Sequence, residues 1–339
     1  MLKKNALYVI IAIVLAAVIG VAAFVVVDRL GGTSDSLAAA TSTQSSTSST
    51  GGWSSQSSTS ATTETEVTPG QALSVETTTS EAATAGTSSA QSATASSYKS
   101  DTVSISIKKV STGSGNNTVT YFVADVQLEA GTLLQAGLAE GFKSGKVANT
   151  STIAKQNDAI LAINGDYSTG RNTGIIIRDG VLYLNNPTRE GLALYKDGTM
   201  KLYDETKVSA DQLLADGVYN TYSFGPALLA DGTIPDGLDT TEVEDIGVEH
   251  TILGNQPRTG VGIIDANHYV FIVVDGRSNG YSRGVALSEF AQIFKDLGCT
   301  IAYNLDGGGS SAMYFNGTLV NNPLGRGSER AVSDILYVK

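Results

Sequence analysis

An abrupt change of composition near residue 100 limits where this chain of 339 residues can build a folded core. Residues 31–100 consist mainly of Ser, Thr, Ala and Gly with scattered Glu. Such a segment has too few large apolar side chains to offset the entropy that is lost when its backbone is ordered. We therefore expect residues 31–100 to form a disordered stalk and residues 101–339 to form a single folded domain.

The segment that precedes the stalk is apolar. An uninterrupted apolar run covers residues 6–27 and follows Lys3 and Lys4. About 20 apolar residues are enough for a helix to cross a hydrocarbon core of about 30 Å. Because the basic residues lie on the N-terminal side, the N-terminus is expected in the cytoplasm and the domain outside the cell. We predict that residues 1–30 are a cytoplasmic start and a single-pass signal anchor; a cleaved signal peptide is the alternative.

The charge balance excludes one large class of partners. The chain has 22 Lys and Arg against 33 Asp and Glu. A general polyanion binder needs a basic surface that neutralises phosphates, so nucleic acid is not an expected partner. Any phosphate recognition by this chain must be local, with a few basic side chains at one site.

Cysteine and histidine are too rare for several chemistries. Cys299 is the single cysteine, so no intramolecular disulfide forms, and its position at the start of an apolar strand predicts a buried thiol. The two histidines, His250 and His268, show no HExxH pattern, which argues against a zinc hydrolase. No cofactor is expected to be required, and which metal, if any, binds is left open. A structural calcium is compatible with the carboxylate-rich loops of an exported domain.

Hydrophobic periodicity favours an α+β fold with mixed β-sheets and packed helices. Alternation over residues 103–107 predicts a half-buried strand, and residues 118–128 predict a second one. A helix is predicted at residues 287–297, with Gly298 as its stop. Turn residues between β-prone segments predict hairpins at Arg178-Asp179-Gly180, Lys196-Asp197-Gly198 and Asn316-Gly317.

Polar residues follow three apolar strands at the point where each strand ends. The three segments are Asn164-Gly165-Asp166-Tyr167, Asp275-Gly276-Arg277 and Asp306-Gly307-Gly308-Gly309-Ser310-Ser311. Rigid scaffolds often present functional groups at such positions, and glycine amides with serine hydroxyls can surround an anion. Each segment alone is more typical of an ordinary turn. The three together predict one shared site.

Five motifs in these regions give the chain a resemblance to a known family. The segment NLDGGGSSAM, residues 304–313, resembles the signature of the phosphodiester glycosidase family. That family includes the lysosomal enzyme that removes N-acetylglucosamine from a mannose 6-phosphate diester, and bacterial surface and exopolysaccharide-associated proteins. The other motifs are similar in the expected order over residues 101–339: NGDY at 164–167, QPRTGVGI at 256–263, VDGR at 274–277 and GSERAVSD at 327–334.

The resemblance implies hydrolysis of the bond between an anomeric carbon and a phosphodiester oxygen, which releases a free sugar and a phosphomonoester. An oxocarbenium-like transition state needs a carboxylate near the anomeric carbon, as nucleophile or as base for water. Asp306 and Asp275 are the candidate catalytic carboxylates, and Asp166 is a weaker third. Asn164 is suited to orienting a sugar hydroxyl or a water. The substrate is expected to be a glycan or phosphosugar at the cell surface or outside the cell.

The departing phosphate gains charge, so donors aimed at it lower the barrier. Arg258, Arg277 and Arg330 are candidates because a guanidinium can hold two phosphate oxygens. The glycine-serine segment adds the candidate donors Gly307, Gly308, Gly309, Ser310 and Ser311.

Structural roles compete with each of these assignments. Arg330 is equally placed to pair with Glu329 or Asp334, and Arg277 to hold a loop through carbonyl oxygens. For Asp306 the competing roles are capping its own turn and binding calcium, and catalysis is the favoured role. The alternative function is a non-hydrolytic phosphosugar-binding or transferase role in assembly of an exopolysaccharide or cell-wall polymer.

Overall fold

The computed structural model describes residues 92–93, 96–141, 145–168, 171–241 and 252–339. The predicted signal anchor and the first part of the predicted stalk lie outside these ranges, as does His250. Within the described ranges, no helix is both long enough and apolar enough to cross a membrane. The anchor therefore stays a prediction.

The largest sheet has eight strands in the order β1-β2-β3-β4-β14-β13-β15-β12. Their bounds are β1 Ser92–Ala93, β2 Ser97–Lys99, β3 Val103–Thr112, β4 Val119–Leu128, β12 Ala227–Leu229, β13 Arg258–Asp265, β14 His268–Val274 and β15 Ile301–Asn304. The two strands predicted first, at residues 103–107 and 118–128, correspond to β3 and β4. Because β13 and β15 lie side by side near one edge, residues far apart in sequence meet there.

The folded region begins earlier than residue 101, which corrects the predicted end of the stalk. Strand β2 pairs with β3, and Tyr98 in β2 is buried in the main core. Backbone pairing with β3 and burial of the Tyr98 ring both hold this strand against the sheet.

A second sheet contains the strand that carries the first predicted motif. Its five strands have the order β17-β16-β6-β18-β5. Their bounds are β5 Gln135–Leu138, β6 Leu161–Asn164, β16 Met313–Phe315, β17 Thr318–Leu319 and β18 Asp334–Val338. Helix α1, Thr150–Gln156, packs on this sheet through Ile153 and Ala154, which are fully buried.

Two smaller sheets complete the described strands. One has the order β10-β9-β11 and the other pairs β7 with β8. Their bounds are β7 Gly174–Arg178, β8 Val181–Asn186, β9 Glu190–Tyr195, β10 Met200–Asp204 and β11 Val218–Tyr222. Helix α2, Ala210–Ala215, begins after Ser209, whose hydroxyl accepts a hydrogen bond from the backbone N–H of Gln212. This is the N-cap interaction that satisfies one free amide of the first turn.

Helix α3, Leu287–Asp296, packs on the large sheet and confirms the predicted helix. Phe290 and Phe294 are fully buried on its inner face, with ring centroids 5.2 Å apart. They lie over Gly260 and Gly262 of β13, where a Cβ atom would approach the Phe290 and Phe294 rings to 2.9 and 2.7 Å. Glycine on this face of the strand is therefore required for the helix to approach so closely.

The expected sheet-rich class with few helices is confirmed, with one correction to the sheets. Every strand pair recorded between described residues is antiparallel, so the sheets are not mixed in direction. Hairpin connections account for this direction between consecutive strands such as β3 and β4 or β13 and β14, whereas β4 and β14 pair across a long stretch of chain. The three predicted hairpin turns occur between β7 and β8, β9 and β10, and β16 and β17. Cys299 is buried, as predicted, and burial raises the pKa of its thiol to about 12.

Candidate active site

A cavity of about 380 Å³ lies where strands of the two larger sheets end. Strand β13 starts at this edge, and its neighbours β14 and β15 end there, because Arg258 pairs with Val274 and Gly260 pairs with Asn304. The described residues that line the cavity are Tyr167, Phe224, Ile252, Gln256, Pro257, Arg258, Arg277, Asn304, Leu305, Asp306, Gly307, Gly308, Arg330 and Ala331.

Asn164 joins the ends of the two sheets beneath the cavity. Its amide donates to the backbone oxygen of Asp306 at 2.6 Å, and its side-chain oxygen accepts from Thr259 Oγ1 at 2.7 Å and from the N–H of Ala312 at 3.2 Å. The residue is fully buried and does not line the cavity. Its amide therefore fixes the position of Asp306 rather than facing a ligand.

Asp306 is the only carboxylate among the described residues that line the cavity. Its side chain is 13% exposed, and Arg330 Nη2 lies 3.4 Å from its Oδ2. Burial raises the pKa of Asp306, while hydrogen bonding from Ser310 and the charge of Arg330 act in the opposite direction. A partly desolvated carboxylate held by two neighbours is available to a reacting group.

Two arginines flank the glycine turn that follows Asp306. A Cβ atom at Gly308 would lie 3.3 Å from Arg277 Nη2, and one at Gly309 would lie 3.4 Å from Arg330 Nε. Gly308 also has a φ of 60°, in the left-handed region that favours glycine. The turn therefore lets two guanidinium groups approach the backbone on either side, although Gly309 does not line the cavity.

The two flanking arginines are held by different partners. Arg330 donates to Ser310 Oγ from Nε at 3.0 Å and from Nη2 at 2.7 Å. Arg277 donates to Gln256 Oε1 from Nε at 2.8 Å and from Nη2 at 2.6 Å. Both side chains are largely exposed and face the cavity without a close carboxylate partner other than Asp306 among the described residues.

Arg258 is buried in the wall of the same cavity. It donates to backbone oxygens of Ile252, Gly254 and Val285. Burial lowers the pKa of Arg258 to about 10, so the side chain remains charged at neutral pH. The cavity thus contains three guanidinium groups and one carboxylate, which favours an anionic ligand.

Backbone strain is concentrated in two residues of the cavity wall. Tyr167 has a φ of 59° and Arg277 a φ of 56°, in a region that bulky residues rarely adopt. Such conformations persist only where the surrounding structure enforces them, and they cluster at ligand sites.

Asp275 does not line the cavity, although the sequence places it at a strand end like Asp306. Its side chain is fully buried and accepts hydrogen bonds from Tyr281 Oη at 2.8 Å, Asn321 Nδ2 at 2.8 Å and the N–H of Asn322 at 2.9 Å. These donors occupy both carboxylate oxygens. The structure therefore places Asp275 outside the cavity, where it holds the loop of Asn321 and Asn322, and its catalytic role stays a prediction.

Asp166 also turns away from the cavity, into a buried cluster. Arg178 Nη2 contacts Asp166 Oδ1 at 2.9 Å and Asp334 Oδ2 at 2.6 Å, and all three side chains are at most 2% exposed. Asp166 also accepts the N–H of Ser223 at 2.9 Å. Burial and the neighbouring carboxylate raise the pKa of Asp334 to about 7, while the Arg178 charge holds the pKa of Asp166 below its usual value.

The two serines after the glycines differ in position from the prediction. Ser310 contacts Arg330, but neither Ser310 nor Ser311 lines the cavity. Ser311 is buried, and its backbone oxygen accepts from Asn321 Nδ2 at 3.0 Å. Ser310 thus acts on the site through Arg330, and Ser311 supports the loop.

Sequence reasoning missed the apolar side of the cavity and a buried arginine behind it. Tyr167 and Phe224 line the cavity, and the Arg171 guanidinium lies 4.5 Å from the Phe224 ring centroid. Tyr167 belongs to the NGDY motif, so the sequence could have indicated that it lies at the site. Phe224 and Arg171 lie in segments with no motif, so only the tertiary fold brings them here.

The described residues contain no group of three or more His, Cys, Asp or Glu side chains that could hold a metal ion. The calcium expectation stays a prediction.

Comparison with known proteins finds relatives in sequence and in fold. A prophage-derived protein of Bacillus subtilis, YomE, is 36% identical over 194 residues, which are 55% of this chain and 29% of that protein. The fold resembles the zebrafish N-acetylglucosamine-1-phosphodiester alpha-N-acetylglucosaminidase catalytic domain, auto-inhibited by its pro-peptide. The TM-score is 0.58 at 24% identity, over 70% of this chain and 84% of that one. The family model for phosphodiester glycosidases matches residues 157–339. This chain belongs to the phosphodiester glycosidase family.

Proposed function

We propose that this protein hydrolyses a sugar-1-phosphodiester, with release of a free sugar and a phosphomonoester. One observation carries the proposal: a single cavity is lined by the carboxylate of Asp306 and by the guanidinium groups of Arg258, Arg277 and Arg330. These are the two kinds of group that the reaction needs. Family membership supports a glycosidase-type hydrolase in general.

The arginines are suited to the phosphate. Arg277 and Arg330 flank the glycine turn, where their guanidinium donors can point at the same anion. The N–H groups of Gly308 and Ser310 are not available to it, because they donate to the backbone oxygens of Pro257 and Gly307. Such donors stabilise the negative charge that develops on the leaving phosphate. A phosphate in this position lies close to Asp306, which begins the same turn.

Asp306 is suited to the anomeric carbon. As the transition state gains oxocarbenium character, a carboxylate beside it stabilises the positive charge and either attacks the carbon or activates water. Ordinary glycosidases use a second carboxyl group as an acid for the leaving oxygen. A phosphomonoester leaves without such help, which accounts for a cavity lined by one carboxylate.

Aromatic side chains complete the cavity for the sugar. Tyr167 and Phe224 offer apolar surface, and Asn304 lies next to Phe224 through a hydrogen bond from its Nδ2 to the backbone oxygen of Gly225 at 2.8 Å. Sugar rings present apolar C–H faces as well as hydroxyls, so this wall fits the non-ionic part of the substrate.

The substrate class follows from the predicted topology and is part of the proposal. With the apolar run at residues 6–27 as a signal anchor, the domain acts outside the cell on a surface or exogenous glycan. The sugar of the zebrafish enzyme's name, N-acetylglucosamine, is the first to test.

The experiment incubates the purified full-length protein with a panel of sugar-1-phosphodiesters that begins with N-acetylglucosamine-1-phosphodiester. We expect free sugar and a phosphomonoester, both detected by chromatography. Asp306→Asn should reduce the rate by roughly 10³-fold or more while leaving binding of the substrate largely in place. The matched control Asp265→Asn changes an aspartate that is 76% exposed and outside the cavity, and should keep full activity.

No sugar release from any member of the panel, by protein shown to be folded, would refute hydrolysis. Binding of the phosphosugar without turnover by the unmodified protein would favour the phosphosugar-binding alternative. An Asp306→Asn variant with a much lower melting temperature would instead give that carboxylate a structural role in its turn.

A further inference from the structure

Gln256 lines the cavity but has no part in the proposed reaction. Its Oε1 accepts two hydrogen bonds from Arg277, from Nε at 2.8 Å and from Nη2 at 2.6 Å. Its Nε2 donates to the backbone oxygen of Leu253 at 3.2 Å. Because guanidinium donors face the amide oxygen and a carbonyl acceptor faces the amide nitrogen, the orientation of the Gln256 amide is fixed.

The backbone that carries this amide is tied to its surroundings on two sides. Gln256 and Val285 exchange two backbone hydrogen bonds, at 3.1 and 3.0 Å. The backbone oxygen of Pro257 accepts from the N–H of Gly308 at 3.0 Å, which joins the segment to the glycine turn. The Arg277 guanidinium lies against the same turn, since its Nη2 would be 3.3 Å from a Cβ atom at Gly308. Gln256 therefore sets the position of Arg277 relative to the turn.

The atoms that hold Arg277 and Arg258 are neutral oxygens. Arg277 is held by the Gln256 amide, and Arg258 by three backbone carbonyl groups. Of the cavity arginines, Arg330 alone forms an ion pair with a carboxylate of the described residues, that of Asp306. A carboxylate at position 256 would also accept from Arg277 but would compensate its charge. The neutral amide orients the guanidinium and leaves its charge for a ligand.

The charges that line the cavity fit a dianion better than a monoanion. Three guanidinium groups and the ionised Asp306 leave a surplus of two positive charges among the described lining residues. A phosphodiester has one negative charge, whereas a phosphomonoester, with a second pKa of about 6, has nearly two at neutral pH. The charge on the departing phosphate is thus stabilised more than that of the bound substrate, which lowers the barrier.

We propose that Gln256 is a positioning residue that orients Arg277 without neutralising it, and that the cavity therefore binds a phosphomonoester dianion more tightly than a phosphodiester monoanion. The inference rests on the proposed function for the identity of the anion. It also implies that the phosphomonoester product inhibits the reaction. The preference is a property of binding, so it is measurable without turnover.

The experiment titrates the full-length protein with methyl phosphate and with dimethyl phosphate, and ³¹P NMR measures both dissociation constants at low ionic strength. The two probes differ by one methyl group, and at about pH 7.5 also by about one charge. We expect the wild type to bind methyl phosphate roughly tenfold more tightly than dimethyl phosphate. Gln256→Glu places a carboxylate beside Arg277. It should weaken methyl phosphate binding roughly 10- to 100-fold and dimethyl phosphate binding less, so that the preference falls.

Two further variants separate orientation from charge. Gln256→Leu removes the amide without adding a charge, so both probes should bind more weakly by a similar factor, roughly three- to tenfold. Gln127→Glu adds a negative charge at an exposed position of β4 outside the cavity and should leave both affinities unchanged. Thermal melts establish that each variant is folded. The wild-type preference tests the proposal even if a Gln256 variant is unstable.

Two results would overturn the proposal. Equal affinity of the wild type for the two probes would show that the surplus charge does not select a dianion. A folded Gln256→Glu variant with the wild-type preference would leave Gln256 a purely structural part of the cavity wall. Because neither measurement needs turnover, a failure of this proposal is distinguishable from a failure of the proposed hydrolysis.

Discussion

Two clusters of aspartate and arginine stand close together in this fold and have opposite characters. In the buried cluster, Asp166 and Asp334 share Arg178, and all three side chains are at most 2% exposed. In the cavity cluster, Asp306 faces Arg330 at 3.4 Å, and the arginine is 47% exposed. The same residue types are used in both. The buried charges pair with one another, whereas those of the cavity line a space that a ligand can enter.

In these two clusters, residue type alone does not distinguish a structural charge from a functional one. A buried carboxylate must be paired or hydrogen-bonded, or its desolvation destabilises the fold. A carboxylate at a cavity is stabilised partly by solvent, and the substrate takes the place of that solvent when it binds. The predictions that follow test this division, from the largest expected effect to the smallest.

Removal of the shared cation should have the largest effect on stability. Arg178→Met leaves two buried carboxylates without their partner and should lower the free energy of unfolding by about 3–5 kcal/mol. Urea denaturation measures the loss, and the control Arg326→Met makes the same change at an exposed position outside both clusters. A loss below about 1 kcal/mol would show that the cluster does not hold the fold together.

The arginines of the cavity should behave in the opposite way. Arg277→Met and Arg330→Met each remove a charged donor from the phosphate site and should raise KM for a sugar-1-phosphodiester roughly 10- to 100-fold. Their melting temperatures should stay close to that of the wild type because both side chains are exposed. Steady-state kinetics with Arg326→Met as control tests this, and an unchanged KM in both variants would remove the arginines from substrate binding.

Asp275 resembles Asp306 in its sequence context, because both follow an apolar strand and precede glycine. In the structure its side chain is buried and hydrogen-bonded, like those of the buried cluster. In Asp275→Asn one carboxylate oxygen becomes an NH2 group, which removes either the acceptor for Asn321 Nδ2 or the acceptor that Tyr281 Oη and the N–H of Asn322 share. The loss should lower the free energy of unfolding by about 1–3 kcal/mol. Turnover measured well below the melting temperature should fall only a few-fold. A loss of activity as large as that of Asp306→Asn, with no change in stability, would return Asp275 to the catalytic set.

The smallest net effect is a pH dependence of stability that arises from Asp334, because the raised pKa of Asp334 is opposed by the lowered pKa of its neighbour Asp166. The pKa of Asp334 is about 7 in the folded state and about 4 in an unfolded chain. Between these values the folded state binds more protons, so this group makes the free energy of unfolding fall as the pH rises from about 4 to 7. Asp334→Asn should lack this slope when urea midpoints are compared at several pH values. An identical slope in the variant would assign the dependence to other groups.

Much of the local structure was predictable because its causes are local. The alternation in β3, the turn residues of the three hairpins and the apolar face of α3 each depend on a few neighbouring residues. The stalk boundary was misplaced because Tyr98 is held by strand pairing with β3, a contact that local composition does not reveal. Strand direction was likewise a property of the assembled sheets.

The candidate site was predictable only in outline. Sequence patterns placed polar residues at the ends of β6, β14 and β15, and antiparallel pairing with β13 brings the last two of these ends to one edge. The apolar wall was not predictable because Phe224 reaches the cavity from a segment without a motif.

The sequence by itself determined which residues stand at strand ends, where the chain turns, and which family it belongs to. Only the tertiary structure decided which of those residues face the cavity. Asp275 and Asp306 both follow a buried strand and precede glycine. Asn321 and Asn322 from a distant loop donate to the oxygens of Asp275, whereas Asp306 contacts Arg330 and lines the cavity. The physical reason is that a carboxylate's availability depends on which donors surround it, and those donors come from parts of the chain that are remote in sequence.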